Sequence, residues 1–252
     1  MEGETRPFVK RTLLFLFFLA LTLSIPFGAK KCTQGFRLAK LQLDFPSEPR
    51  WDFELDPNVK SILDQPYHFL GKGAQSYVFE SKDGKYVVKL FRFDRKKDPQ
   101  KIACVFEACK LAYENLREET GLIYIHLNPT PEMLPLFEAT DPLGRSIKIP
   151  LDPLRFAVQK KAESFEKIFL EAKGDPIAMQ KRIDQLRLLL QTRVAKGIWN
   201  KDPNLSRNFG FLEDRAIEFD FGNYRQNPSL DQKKEITRFS KKLDHWLKKN
   251  IP

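Results

Sequence analysis

The chain has 252 residues, of which 30% are charged and 42% apolar, and its formal net charge is +10. That balance excludes a disordered chain, and the length is enough for one sizeable domain or two small lobes. The positive excess favours acidic partners such as nucleotide phosphates, anionic lipid headgroups or nucleic acid. The three cysteines, Cys32, Cys104 and Cys109, lack the spacing of a zinc site or a redox pair, so the core reads as reduced. His68, His126 and His245 are scattered and stand beside no Ser or Cys nucleophile motif, which removes histidine-based catalysis.

Residues 1–30 carry an uncharged run, Thr12 to Gly28, bounded by Arg6, Lys10 and Arg11 before it and Lys30 and Lys31 after it. The run lies at the short edge of the roughly 17–25 residues that span a bilayer. No small-x-small cleavage site stands out. The expectation is therefore a retained anchor in a single-pass membrane protein, its folded part on the cytoplasmic side. Residues 31–64 are dotted with prolines (Pro46, Pro49, Pro57) and read as a tether that packs on the edge of the domain, with Trp51 and Phe53 as anchors.

From residue 67 the pattern alternates. Tyr67 to Leu70, Tyr77 to Glu80 and Lys85 to Phe93 predict a three-stranded antiparallel meander. Its first turn is glycine-bearing and its second is Asp83-Gly84. Asp98-Pro99 is a helix start, and Ile102, Val105, Phe106, Cys109, Tyr113 and Leu116 recur at helical spacing until Gly121. Strands follow at 122–127, 134–139, 147–149 and 156–159, with Asp141-Pro142-Leu143-Gly144 as a hairpin turn. Two helices come next, Ser164 to Lys173 and one from Asp175-Pro176 to Lys196-Gly197. A polar loop, Asn200 to Arg207, leads into a hairpin whose second strand, Ala216 to Phe219, aims Asp220 out of its end. The last helix, about 229–249, has an apolar stripe of Ile236, Phe239, Leu243, Trp246 and Leu247 opposite Lys233, Lys234, Arg238, Lys241, Lys242, Lys248 and Lys249. Such a helix either lies on an anionic bilayer or docks on the protein with a solvated basic face. No nucleic-acid-binding module is recognisable. The element order predicts an α+β fold, a sheet-rich part followed by a helical part.

Four pieces of this chain occur in a telling order. Gly71-Lys72-Gly73-Ala74-Gln75-Ser76-Tyr77-Val78 is a glycine loop whose bare backbone can approach phosphates. Lys89 follows on a strand, in Val87-Val88-Lys89-Leu90. Asp202 and Asn208 stand in the polar loop, and Asp220-Phe221-Gly222 ends the last hairpin. In this order they resemble the protein-kinase-like superfamily in an atypical, shortened form, over about residues 67–224.

The resemblance implies a two-lobed fold: an N-lobe of an antiparallel sheet and one helix at 65–162, and a reduced helical C-lobe at 163–252. It implies ATP and Mg²⁺ as cofactors. Gly71, Gly73, Ser76 and Val78 would cover the nucleotide, and Lys89 would clamp its phosphates. Asn208 and Asp220 would hold metal, and Asp202 would orient an acceptor hydroxyl. Glu107 is the candidate partner of Lys89 from the following helix, although it faces away from the Ile102/Phe106/Cys109 stripe, and Glu114 is the alternative. Gln159-Lys160-Lys161-Ala162 is similar to the connector whose backbone meets adenine.

The chain also departs from the pattern. Asn200-Lys201 stands where the family has His-Arg, Ser76 replaces a third glycine, and Asn208 comes one residue late. No activation segment follows Gly222. These departures leave two expectations. One is a membrane-anchored kinase acting on a non-peptide hydroxyl, close to compact lipid, sugar or lipopolysaccharide kinases. The other is an inactive pseudokinase scaffold.

Overall fold

A computed structural model describes residues 13–19, 22, 28, 30–94 and 98–251. The sequence-predicted anchor at 12–28 lies partly outside them. Leu13 to Leu19 is helical with its large side chains exposed. Among the described residues, no helix is long and apolar enough to cross a membrane. The expected single-pass membrane location is therefore corrected: the described apolar helix is too short for the hydrocarbon core of a bilayer.

The predicted meander is present as β1 (Tyr67–Lys72), β2 (Ser76–Ser81) and β3 (Tyr86–Phe91). Its second turn closes because Gly84 adopts φ +70° and Asp83 Oδ1 accepts from the Ser81 hydroxyl (2.6 Å) and the Lys85 N–H (3.0 Å). In the first hairpin the register slips between Phe69 and Gly71, a bulge that re-aims the strand just before the glycine turn. Helix α1 (Pro57–Leu63), which sequence periodicity did not predict, precedes the meander, and helix α2 (Pro99–Asn115) follows it. Each begins at an Asp-Pro pair, with Asp56 or Asp98 accepting from the second residue of the helix. A short α3 (Arg117–Thr120) ends at Gly121 in the left-handed conformation (φ +64°).

Strands β4 (Leu122–His126), β5 (Leu136–Thr140), β6 (Ser146–Pro150) and β7 (Phe156–Lys160) complete a seven-stranded sheet in the order β4-β7-β3-β2-β1-β5-β6. Its pairs are antiparallel except β1 with β5, which makes the sheet mixed. Both faces are covered. Helix α2 packs Ile102, Val105, Phe106 and Cys109 on one face, joined there by Trp51 of the tether. On the other face Phe36, Leu41, Val59 and Leu63 meet Tyr77, Phe79, Val88, Phe156 and Val158. The tether thus does more than touch an edge. Trp51 is 1% exposed and stands edge-on to Phe106 at 5.0 Å. Cys109 is buried as periodicity implies, but Cys104 is exposed, because it lies off the face that carries the apolar stripe.

A third core joins α4 (Phe165–Glu171), α5 (Pro176–Ala195) and α7 (Gln232–Asn250) to the hairpin β10 (Phe209–Leu212) and β11 (Arg215–Glu218). A two-residue strand, β8 (Glu163–Ser164), edges that hairpin at Gly210. The stripe of α7 is used here: Phe239 and Leu243 are buried, and Trp246 packs on Phe165 (4.7 Å) and Phe169 (5.8 Å). Its lysines face outward. The polar loop is more structured than its composition predicted. It starts from β9 (Ile198–Asn200), which pairs with β12 (Tyr224–Gln226), and contains a one-turn helix α6 (Leu205–Asn208) capped by Asn204.

Candidate functional site

A cavity of about 450 Å³ opens between the β1–β3 meander and the segments 202–207 and 219–223. Its roof is Leu70, Gly71, Gly73, Ala74, Gln75, Ser76 and Val78. Neither Gly71 nor Gly73 has a positive φ. A Cβ added at Gly71 would meet no protein atom within 4 Å, and one at Gly73 would meet nothing closer than 3.8 Å. These glycines are demanded neither by backbone conformation nor by protein packing. What they provide is bare backbone beside open space, the property a phosphate-covering loop requires.

Lys89 rises from β3 into the back of the cavity. Its Nζ donates to the Phe219 carbonyl at 2.6 Å and lies 5.3 Å from the Phe219 ring and 5.7 Å from the Phe221 ring. Burial pushes this ammonium down to about 8, and attraction to the Asp220 carboxylate opposes the shift. A half-buried cation near a carboxylate at a cavity wall is poised for an anionic ligand. Gln159, the last buried residue of β7, donates from Nε2 to the Thr120 carbonyl (2.8 Å) and to the same Phe219 carbonyl (3.3 Å). Lys160, Lys161 and Ala162 then line the cavity rim.

The floor is stitched together by the chain itself. Asn208 Nδ2 donates to the Asp202 carbonyl (2.6 Å), and the Phe219 N–H donates to the Asn208 carbonyl (2.8 Å). Asp202 and Asp220, 18 positions apart in the sequence, both line the cavity. The Gly222 N–H approaches Asp220 Oδ1 at 3.4 Å. A Cβ on Gly222 would come within 2.7 Å of Gln75 Oε1, so the tip of the glycine hairpin leans on the turn after Asp220.

Of the sequence-predicted site residues, the structure gathers Gly71, Gly73, Ser76, Val78, Lys89, Asp202 and Asp220 around one cavity. Two are placed differently. Glu107 is on the outer side of α2, where it pairs with Arg50 of the tether at 2.8 Å. The helix turns Val105 and Cys109 toward the cavity instead. Asn208 is buried behind the lining, through its bond to Asp202. Gln75, Val105, Cys109 and Arg207 line the cavity without having been singled out as site residues. For Val105 and Cys109 the signal was present but ambiguous, since helical periodicity marks a buried face without saying whether a core or a cavity lies beneath it.

Among the described residues there is no cluster of three or more His, Cys, Asp or Glu side chains of the kind that holds a metal unaided. The oxygen donors present are the Asp220 and Asp202 carboxylates at the wall and the Asn208 amide just behind it. Such a sparse, all-oxygen set suits Mg²⁺, which takes one or two carboxylates and fills its remaining positions with phosphate oxygens and water.

No protein-family model matches the chain, and no curated protein matches it. Solved structures similar to it include WbdD with the kinase inhibitor LY294002, at 15% identity and a TM-score of 0.42 over 69% of this chain and 37% of that one. The bifunctional kinase-methyltransferase WbdD in a medium-resolution structure is similar at 17% identity and a TM-score of 0.41, over 71% of this chain and 36% of that one. The chain thus spans little more than a third of the length of those proteins. Likeness at this level leaves the activity to be argued from the chain's own residues.

Proposed function

We propose that this cavity binds Mg-ATP in a two-lobed, protein-kinase-like arrangement and transfers a phosphoryl group to a non-peptide hydroxyl. The observation that carries this reading is the convergence of Lys89, Asp202 and Asp220 on one cavity beneath a glycine hairpin that neither packing nor backbone strain requires. In this reading Lys89 orients the phosphates, and the backbone of 71–76 closes over them. Asp202 accepts the proton of the acceptor hydroxyl, and the Asn208 bond to its carbonyl keeps it in place. Asp220, with Asn208 behind it, would hold Mg²⁺, which when bound neutralises phosphate charge. Val78, Val87 and Phe91 supply apolar surface for a base, and the 159–162 segment supplies backbone groups at the rim.

The test is direct. At a nucleotide concentration about 100-fold above Kd, binding to the native state adds about 2.7 kcal/mol. For a chain of this size that raises Tm by about 5–11 °C. The full chain should show this stabilisation with Mg-ATP and a smaller one with ATP and EDTA. A folded sample whose Tm does not move at millimolar Mg-ATP would end the proposal.

One observation favours a second reading. Helix α2 presents Val105 and Cys109, and no carboxylate, to the cavity beside Lys89, while Glu107 is held outside by Arg50. A kinase-like site without that ion pair fits a pseudokinase scaffold that binds nucleotide and transfers nothing. Saturable Mg-ATP binding with no turnover, unchanged by Asp202→Ala, would select it. Turnover abolished by Asp202→Ala would select the enzyme.

A further inference from the structure

Behind the cavity floor lies a polar cluster that the proposed site does not use. Glu218, the last residue of β11, is fully buried and receives four hydrogen bonds. Arg193 Nη1 of α5 reaches both of its oxygens (3.0 and 2.7 Å), the Tyr224 hydroxyl reaches Oε2 (2.9 Å), and Asn200 Nδ2 reaches Oε1 (2.6 Å). Arg193 Nη2 also donates to Glu235 of α7 (3.2 Å), which receives Arg238 Nη2 at 2.7 Å. Two cations therefore face two carboxylates, and five elements (β9, β11, β12, α5 and α7) meet at one point.

One member of this cluster looks the other way. Asn200 is 0% exposed, and its Oδ1 accepts from the Asp202 N–H at 2.9 Å. The orientation of its carboxamide is not ambiguous. Turned over, it would set Oδ1 against a carboxylate and Nδ2 against an N–H. A single side chain thus donates to a buried anion and accepts from the backbone of the residue that lines the cavity. The anion itself is held by the guanidinium of a 20-residue helix.

We propose that Asn200 is a positioning residue. It transmits the fixed place of Glu218 to the Asp202 backbone, and so sets where the Asp202 carboxylate stands in the cavity. The proposal rests on the nucleotide-site reading only for its consequence in turnover; the mechanical link stands on the hydrogen bonds alone. Three features favour a relay over mere core filling. The Asn200 side chain is the one member of the cluster that reaches the 202–208 loop. Beyond the packing of Leu205 in the third core, that loop has few other hydrogen-bonded ties: the Asn208 bond to Asp202 and the Phe219 N–H to the Asn208 carbonyl. The Asn200 carbonyl is itself held by Arg238 at 3.3 Å, which keeps the residue from swinging.

The experiment compares full-length wild type with Asn200→Ala and Tyr224→Phe by amide hydrogen exchange, Mg-ATP binding and intrinsic ATP hydrolysis. Asn200→Ala is expected to raise exchange at 202–208 at least tenfold while leaving 67–93 unchanged. It should keep Mg-ATP affinity within threefold and lower kcat at least tenfold with KM unchanged. Tyr224→Phe removes one bond to Glu218 without touching Asn200. It should lower Tm and leave both the exchange at 202–208 and kcat within twofold of wild type. A folded Asn200→Ala with unchanged exchange at 202–208, or with unchanged kcat where wild type turns over ATP, overturns the proposal. If Asn200→Ala does not fold, Asn200→Ser replaces it, and failure of both to fold overturns the proposal in favour of a purely structural role. A wild type that binds no nucleotide defeats the reading of the cavity, and the exchange data then decide the relay by themselves.

Discussion

Replacing Gly71 with alanine separates the two things a glycine can be kept for. The backbone there has no positive φ, and the new methyl would meet no protein atom within 4 Å. Where the native conformation tolerates a side chain, Gly→Ala stabilises by about 0.4–1 kcal/mol, chiefly by restricting the unfolded chain. For a chain of this size that is a rise in Tm of about 1–4 °C. Gly71 itself lines the cavity, on the strand that would cover the nucleotide. A tenfold loss of Mg-ATP affinity, equivalent to about 1.4 kcal/mol, is expected from Gly71→Ala, and more from Gly71→Leu. Scanning calorimetry of the ligand-free protein and titration calorimetry with Mg-ATP measure the two effects separately. A fall in the ligand-free Tm would show that the methyl does meet protein. Unchanged nucleotide affinity in both variants, with stability kept, would refute the use of this wall by a nucleotide.

Gly210 should behave in the opposite way. A Cβ there would sit 2.5 Å from the Glu163 carbonyl oxygen and 3.1 Å from the Ala162 Cβ. Gly210→Ala should therefore cost about 1–3 kcal/mol in urea melts, and a neutral result would disprove the tight approach of β8 to β10. Lys89→Met removes a half-buried ammonium, while Gln159 still serves the Phe219 carbonyl. Melts should show stability kept and titration should show Mg-ATP affinity lowered at least tenfold; equal affinity would remove Lys89 from the site. His126 is buried against Phe156 at 4.9 Å, and burial pushes its pKa down to about 4. The unfolded chain, with an ordinary value of about 6.5, then binds the extra proton first. Stability is full above about pH 6.5 and falls as pH drops toward 4, by up to about 3 kcal/mol. Urea melts across that range should show the loss, and His126→Gln should flatten it.

The sheet was legible because its signals are local. Asp83-Gly84, Asp98-Pro99 and Gly121 each mark a boundary by their own backbone chemistry, and the structure places turns and helix ends there. Helix α1 was missed because its seven residues are too few to display a period, although Asp56-Pro57 carried the same start signal as Asp98-Pro99. The parallel pairing of β1 with β5 had no local signal, since it joins strands separated by three further strands and two helices. At the candidate site, residues fixed by strand alternation (Lys89, Asp220) could be aimed from sequence. Periodicity also turned Glu107 away from the apolar stripe, and the structure leaves it outside, but its partner Arg50, a residue far away in the chain, had no local signal. The Glu218 cluster was invisible for the same reason. A lone Glu on a strand, an Arg on a helix and an Asn in a loop become one feature only when five elements converge.

The tether has a consequence for how the chain acquires its structure during synthesis. Phe36, Leu41, Trp51, Val59 and Leu63 emerge from the ribosome well before some of their partners, among them Phe106, Ile149, Phe156 and Val158. At about 5–20 residues per second, on the order of 5–20 s separates the appearance of these two sets. During that interval the early aromatic segment can meet only its nearer partners, such as Tyr77 and Phe79. Pairing at such sequence distance is slow and exposes apolar surface. The nascent chain is therefore most prone to chaperone capture or misassembly before β7 is complete, and a segment made early is among the last to be fully secured.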